Sequence, residues 1–479
     1  MGVPAETIAS DGRLLNMTMT LRSPGAVLLI SCYELGHQPL GVAMPLGFLQ
    51  QAGFQPDVND IAVEDFDEQK VARARFVGIS VPMHTALRLG VRVIDRIREI
   101  NPTCHVCCYG LYAALNSDYL LAHGADSCIG GEYDGPLTAL VESLEQEGSP
   151  PVLSVVQPQH EASPHLERLS FAVPVRDGLP PLEDYAKLEH NGEERTAGYV
   201  EASRGCLHLC THCPIPPVYG GRFFIVPKDV VLEDIRRQVE AGATHITFGD
   251  PDFLNGPKHS LGVVQAMHDE FPSLTFDFTA KVEHLLKRGE NLPEFAKAGC
   301  LFIITAVESL SDKVLTILDK NHTRDEVVSA MRYVREAGIA PRPTWVAFTP
   351  WTTLEDYRDV LEFVEREGLI DNVDPIQFAV RLLIPPGSWL ADHPETLPHR
   401  GPLDEAALTY RWTHPDPRMD KLQKDVSKLL EEDTLAEVDA ARTFYGIKEL
   451  AHGRPPVNVV CSLPVDRQRA PRLTEAWFC

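Results

Sequence analysis

The sequence predicts an α/β fold in two blocks. An N-terminal doubly wound parallel sheet is followed by a partial (β/α)6 barrel and a mostly helical C-terminal extension. Three observations predict this. An amphipathic stretch repeatedly closes on Ala-Gly before a short, mainly apolar run, at Ala52-Gly53, Ala241-Gly242, Ala298-Gly299 and Ala337-Gly338. Glycine there supplies the left-handed turn that ends a helix, and unalternated apolar runs such as 301–304 read as strands buried on both faces. Second, the strand candidates fall into two groups: 26–32, 76–81, 104–109 and 126–129, then 198–203, 244–249, 274–280, 301–307, 343–348 and 375–383. Third, a proline-rich stretch with Pro150-Pro151, Pro174 and Pro180-Pro181 separates the groups and reads as an extended linker. The expected boundaries are 1–148 for the open sheet, 149–195 for the linker, 196–395 for the barrel and 396–479 for the extension. In the extension, 404–411 and 420–450 read as helical, with Leu422, Val426, Leu429 and Leu430 on one face.

A chain of 479 residues is long enough for two or three domains. Its 68 acidic against 44 basic residues, a formal charge of -24, repel phosphate backbones and argue against nucleic acid as a partner. No apolar run reaches the roughly eighteen residues of a membrane span, and no signal-peptide pattern stands at the start. A cytoplasmic location is the expectation. Eleven cysteines, an odd number without an export signal, point to reduced thiols with some metal ligation rather than a disulfide framework. Cys104, Cys107, Cys108, Cys32, Cys128 and Cys300 sit in or beside strand-like runs and read as core.

The strongest chemical signal is Cys206-Leu207-His208-Leu209-Cys210-Thr211-His212-Cys213, just after the first strand of the second block. Thiolates at this spacing wrap one metal centre. Three ligands on a four-iron cube leave one iron open to a substrate or cofactor. The alternative is a zinc site completed by His208 or His212.

This loop at the end of a barrel's first strand resembles the signature of the radical S-adenosylmethionine (SAM) superfamily. The resemblance implies a [4Fe–4S] cluster on Cys206, Cys210 and Cys213, whose open iron chelates SAM before one electron cleaves the sulfonium bond. His212 stands where that family favours an aromatic residue near the adenine. Further segments match in order. Phe248-Gly249-Asp250-Pro251-Asp252 corresponds to the turn that holds the SAM amino group. Glu308-Ser309, followed by Lys320, corresponds to the segment after the fourth strand that contacts the ribose or amino acid end. Arg381 lies on the sixth strand, placed to pair with a carboxylate, and Lys281 and Glu283 on the third strand are expected to point into the barrel. Such barrels carry their sites at the C-terminal ends of the strands.

The first block offers loops at its own strand ends: Gly36 and His37, then Ser80, then Gly110, then Gly130 and Gly131. Open parallel sheets bind ligands there, and the layout resembles the cobalamin-binding domain of one radical SAM class. The Asp-x-His-x-x-Gly cobalt-ligating pattern is absent, since Glu34, His37 and Gly41 stand at other spacings. The resemblance therefore implies cobalamin bound near Gly36 and His37, with His37 not required as its cobalt ligand. The terminal Trp477-Phe478-Cys479 resembles the tail of radical SAM proteins ending in Cys-Cys-Ala-Glu-Pro or Cys-selenocysteine-Ala-Glu-Pro. The expectation is a sequence stopped where a selenocysteine codon was read as a stop, with Cys479 and Cys461 as soft nucleophilic thiols.

Together these readings imply an enzyme that methylates a carbon or phosphorus centre of a small molecule or peptide, its electron coming from a donor such as flavodoxin or ferredoxin. The alternatives are transfer of the 3-amino-3-carboxypropyl group of SAM to arsenic or another soft acceptor, and a non-catalytic cobalamin- or redox-sensing protein. Methylthiolation of tRNA is disfavoured by the acidic charge.

Overall fold

The computed structural model describes residues 20–146, 164–457, 459, 467 and 469–475. The chain divides into two compact units, Met1–Glu34 with Pro39–Pro180, and Leu35–Gln38 with Pro181–Cys479.

The first unit is built on five strands: β1 (Val27–Ser31), β2 (Asp57–Asp60), β3 (Phe76–Ser80), β4 (His105–Tyr109) and β5 (Ser127–Ile129). They are all parallel, in the order β2-β1-β3-β4-β5. Every residue of β1, β3 and β4 is buried, as a parallel sheet covered on both faces requires. Val27, Leu29, Phe76, Cys107 and Tyr109 pack with Val42, Leu46, Leu49, Leu137 and Val141. The six cysteines read as core are free thiols, five of them buried and Cys128 half-buried. Strand β2 went unread in the sequence because Asp-Val-Asn-Asp is polar; it forms the sheet's edge. The turn past the helix at His84–Ile100 is closed by Asn101, whose buried amide donates to the carbonyls of Val71 at 3.0 Å and Ala74 at 2.7 Å.

The second unit begins with an antiparallel hairpin, β6 (Lys187–His190) and β7 (Glu193–Val200). Its two-residue turn, Asn191-Gly192, has φ of +55° and +79°, the geometry that suits the strands' twist. Strand β6 lies inside the stretch expected to be linker. Two short strands, β8 (Ser203–Gly205) and β9 (Phe223–Ile225), pair antiparallel and flank the cysteine loop. Then come β10 (His245–Phe248), β11 (Thr275–Ala280), β12 (Cys300–Glu308) and β13 (Ala340–Trp345), each parallel to its neighbour, with β10 parallel to β7. The sixth place in this curled sheet is held by a single parallel bridge between Phe348 and Arg381. Residues Pro375–Ala379 form a 3-10 turn instead of a strand; prolines at 375, 385 and 386 remove the donors a longer ladder needs. Under the sheet, Phe248, Phe253, Phe276, Phe278 and Phe295 form an aromatic cluster, with ring centroids 4.4 to 6.3 Å apart.

Residues 404–411, expected to be helical, belong instead to an antiparallel hairpin of β14 (Arg400–Asp404) and β15 (Thr409–Trp412). Thr409, Tyr410 and Trp412 are strand formers, and cross-strand pairing overrides the helical reading. Helices Pro417–Leu435 and Ala440–Ala451 follow, and Met419, Leu422, Val426 and Leu430 are buried on the first. A last strand, β16 (Arg472–Leu473), pairs antiparallel with β6. Among the described residues no helix is long and apolar enough to cross a membrane.

Replacing Asn101 with alanine takes this donor from the buried Ala74 carbonyl and one of two donors from the Val71 carbonyl, which keeps the Ala74 N–H. We expect a loss of about 1–3 kcal/mol, read as a lower urea midpoint followed through the first unit's helices; an unchanged midpoint would show that water replaces the amide.

Candidate active site

The three thiols lie on the loop between β8 and β9. Gly205 opens it with φ +75°, and a Cβ there would stand 2.5 Å from the Arg222 carbonyl oxygen, so only glycine makes the turn. The loop then alternates. Leu207 and Leu209 are exposed, while Cys206 and Cys210 are buried and His208 is half-buried between them. Thr211 anchors its far side, its N–H donating to the Leu318 carbonyl at 3.1 Å and its hydroxyl to that of Ile317 at 2.8 Å. The Cys213 N–H donates to the Cys210 carbonyl at 3.2 Å. On the near side, the Leu207 N–H donates to Asn255 Oδ1 at 3.3 Å.

Burial pushes the Cys206 thiol up to about 11 and raises Cys213 as well, and Cys206 and Cys210 raise Cys213 further. Neither nearby imidazole completes a Cys3His zinc set: His208 turns toward Asp252 and His284, and His212 toward Glu308. Three thiols on one loop with no fourth protein ligand among the described residues fit a cluster that keeps one iron open.

Strand β12 ends on Glu308, which has φ +68° after a register shift between Ala306 and Glu308. This conformation costs an L-residue about 1–2 kcal/mol, and such strain collects at functional positions. Glu308 Oε1 accepts a hydrogen bond from Lys320 Nζ at 3.1 Å and lies 3.7 Å from His212 Nε2. Burial works against the Glu308 carboxylate, yet Lys320 and His212 together hold its pKa at about 2. Lys320 is itself buried, and the charge of Glu308 keeps it firmly protonated. Ser309 is buried next door, its hydroxyl accepting from the Ser311 N–H at 3.1 Å. These groups meet beside the thiols, as Cys210 and Cys213 contribute to the field at Lys320.

Asp250 serves the loop from inside. Its carboxylate accepts from the Ala202 N–H at 2.9 Å and the Ser203 hydroxyl at 2.5 Å. Burial raises its pKa to about 7 in spite of both bonds. Gly249 leaves room for Tyr199, whose phenolic oxygen would stand 2.3 Å from a Cβ there. Arg381 is engaged elsewhere: it bonds Asp420 at 2.7 Å and the Trp412 carbonyl at 2.7 Å, and its guanidinium lies 3.5 Å above the Trp412 ring. His37 stacks on Tyr199 with centroids 4.3 Å apart, and burial drives its pKa down to about 3. Gly36 accepts at its carbonyl from the Ala186 N–H at 2.8 Å.

In the first unit, Ser80 ends β3 beside the start of the helix Leu40–Gln51, where a Cβ on Gly41 would stand 2.2 Å from the Ser80 hydroxyl. Gly110, Gly130 and Gly131 lie close against Val81, Ala114 and His165. Cys461 and Cys479 lie outside the described residues. Sequence reasoning missed His284 and the anchoring roles of Thr211 and Asn255. The run Lys281-Val282-Glu283-His284 just after β11 was the one available signal for His284.

Residues 200–365 match the family model described as the radical SAM superfamily. The chain is 26% identical over 251 residues to the tRNA-2-methylthio-N(6)-dimethylallyladenosine synthase of Aliivibrio fischeri, covering 49% of this chain and 51% of that protein. It is 24% identical over 324 residues to the hopanoid C-3 methylase of Methylococcus capsulatus, covering 66% and 62%. The chain thus spans about half the length of the first of these relatives. Two solved structures share the fold. One is the cobalamin-dependent S-adenosylmethionine radical enzyme OxsB with aqua-cobalamin and S-adenosylmethionine bound, at TM-score 0.68 and 15% identity over 89% of this chain and 71% of that one. The other is the radical S-adenosylmethionine methyltransferase TsrM of Kitasatospora setae with cobalamin and a [4Fe-4S] cluster bound, at 0.55 and 16% over 71% and 70%. The stretch 200–365, which holds the cysteine loop and the Glu308–Lys320 pair, is a radical SAM superfamily domain.

Proposed function

We propose that this protein is a radical SAM enzyme that uses cobalamin to transfer a methyl group to a carbon or phosphorus centre of a small molecule or peptide. The observation that carries it is that the loop bearing Cys206, Cys210 and Cys213 is tied through Thr211 and His212 to the end of β12 and the segment after it, where the buried Glu308–Lys320 pair lies. With both groups bound, a [4Fe–4S] cluster on the three thiols supplies the electron that opens the SAM sulfonium, and cobalamin carries the methyl group. Support for cobalamin comes from the first unit's order β2-β1-β3-β4-β5. The order reverses between β1 and β3, and ligands of such sheets bind at that switch point. Ser80 ends β3 there, with Gly110, Gly130 and Gly131 at the neighbouring strand ends. The likeness to cobalamin-bound OxsB and TsrM supports the same reading.

The chain's own residues then have distinct tasks. Glu308, kept ionised by Lys320, accepts hydrogen bonds from a hydroxyl or ammonium of SAM, with Ser309 beside it. His212 flanks the adenine. Asp250 keeps the loop's base fixed, and Gly249 admits the Tyr199 ring that shapes the same turn. Arg381 is a positioning residue that holds Trp412 and Asp420. An external donor such as flavodoxin or ferredoxin supplies the electron. The charge of -24 favours a small-molecule or peptide substrate over the tRNA named for the Aliivibrio relative.

Anaerobic reconstitution with iron, sulfide, hydroxocobalamin and SAM, followed by reduction and product analysis, tests the reading. We expect 5′-deoxyadenosine with S-adenosylhomocysteine. Formation of 5′-methylthioadenosine instead would replace methylation by 3-amino-3-carboxypropyl transfer, and retention of no cobalamin would remove that cofactor from the account. A Glu308→Gln variant should bind SAM roughly ten- to hundredfold more weakly, the worth of one charge-assisted hydrogen bond, while keeping its iron; undiminished SAM binding would take Glu308 out of the site.

A further inference from the structure

A second set of metal-ligating side chains stands beside the thiols and is used by none of the roles above. His208 comes from the cysteine loop, Asp252 from the turn after β10, and His284 from the helix Val282–Lys287 after β11. Asp252 is fully buried, and its Oδ2 lies 3.2 Å from His208 Nε2 and 2.8 Å from His284 Nδ1; the two nitrogens are 3.5 Å apart. Three donors bound to one zinc ion at its usual distances sit about 3.3 Å from one another, so the observed triangle already has the size of a coordination face.

Hydrogen bonding alone satisfies this arrangement poorly. Asp252 Oδ1 is occupied by the Leu254 N–H at 3.0 Å. The single oxygen Oδ2 faces the Lys281 N–H at 3.3 Å as well as both imidazole nitrogens. If both rings donate, they and the Lys281 N–H set three donors on the two lone pairs of one oxygen; if one ring turns its lone pair inward, that lone pair faces the carboxylate. A cation in place of the imidazole protons relieves both conflicts. His208 is also backed as a ligand should be: its other nitrogen, Nδ1, lies 3.5 Å from Glu283 Oε2, and Glu283 is paired with Lys281 at 3.8 Å and Lys287 at 2.5 Å. A carboxylate behind a ligating histidine fixes its tautomer and orientation.

We propose that His208, Asp252 and His284 bind one divalent first-row transition ion of the zinc or ferrous type, separate from the cluster. Two imidazoles and one carboxylate suit that class, and three protein ligands leave a position open to water or a substrate heteroatom. The site stands whether or not the protein cleaves SAM.

The test uses the full-length chain with Cys206, Cys210 and Cys213 replaced by serine, titrated anaerobically with Co2+. The expected result is one Co2+ per chain with visible ligand-field bands, no sulfur-to-metal charge-transfer band, and at least tenfold weaker binding on His284→Gln. Glu283→Gln should weaken it less. Absence of stoichiometric binding in the folded serine variant, or binding indifferent to His284→Gln, overturns the site. As a check independent of the serine variant's folding, the reconstituted wild type is also equilibrated with Zn2+, dialysed and analysed for both metals. One zinc beside the cluster iron, lost in His284→Gln while the iron stays, supports the site; zinc that is absent, or unchanged in that variant, refutes it.

Discussion

Eight residues from Cys206 to Cys213 carry three thiols, and a stretch that short presents them to one point only if its backbone is held from both sides. Here the hold is made by groups distant in sequence. Asp250 grips Ala202 and Ser203 ahead of the loop, Asn255 reaches Leu207, and Thr211 is tied to the carbonyls of Ile317 and Leu318 behind it. Two of these ties come from the segment after β10 and the third from the helix after β12. The parallel sheet is thus what converts a flexible spacing motif into a site, because its strand ends deliver those partners to one edge.

The same edge explains why charge gathers where burial should discourage it. Glu308 and Lys320 are both buried, and removing either leaves the other uncompensated, at a cost of several kcal/mol. Their pairing, together with the left-handed backbone at Glu308, is a local expense of the fold that suits recognition of a charged, hydroxyl-bearing ligand. Asp250 shows the opposite solution. Its bonds go to the chain itself, and burial raises its pKa to about 7.

Much of this was legible in the sequence. The apolar runs located β1, β3, β4, β10, β11, β12 and β13, since parallel strands buried on both faces announce themselves by composition. The cysteine spacing announced the loop. What stayed hidden was decided by pairing across long separations. Strand β2 is polar because it lies at an edge, β6 stands among prolines and exists through its pairing with β7, and 404–411 took the hairpin rather than the helix. Within the site, His284 meets His208 across 76 positions, a contact no local pattern encodes. The glycines at 110, 130 and 131 were visible as residues, but their packing against Val81, Ala114 and His165 was not.

On the proposed reading, the three thiols hold a four-iron cluster with one iron left for SAM. Electron paramagnetic resonance of the anaerobically reconstituted, reduced protein tests it most directly, with and without SAM. The account predicts the signal of a reduced [4Fe–4S] cluster, changed in shape on adding SAM and lost when any one of Cys206, Cys210 or Cys213 is replaced by alanine. A signal indifferent to SAM, or one that survives loss of a thiol, would contradict it.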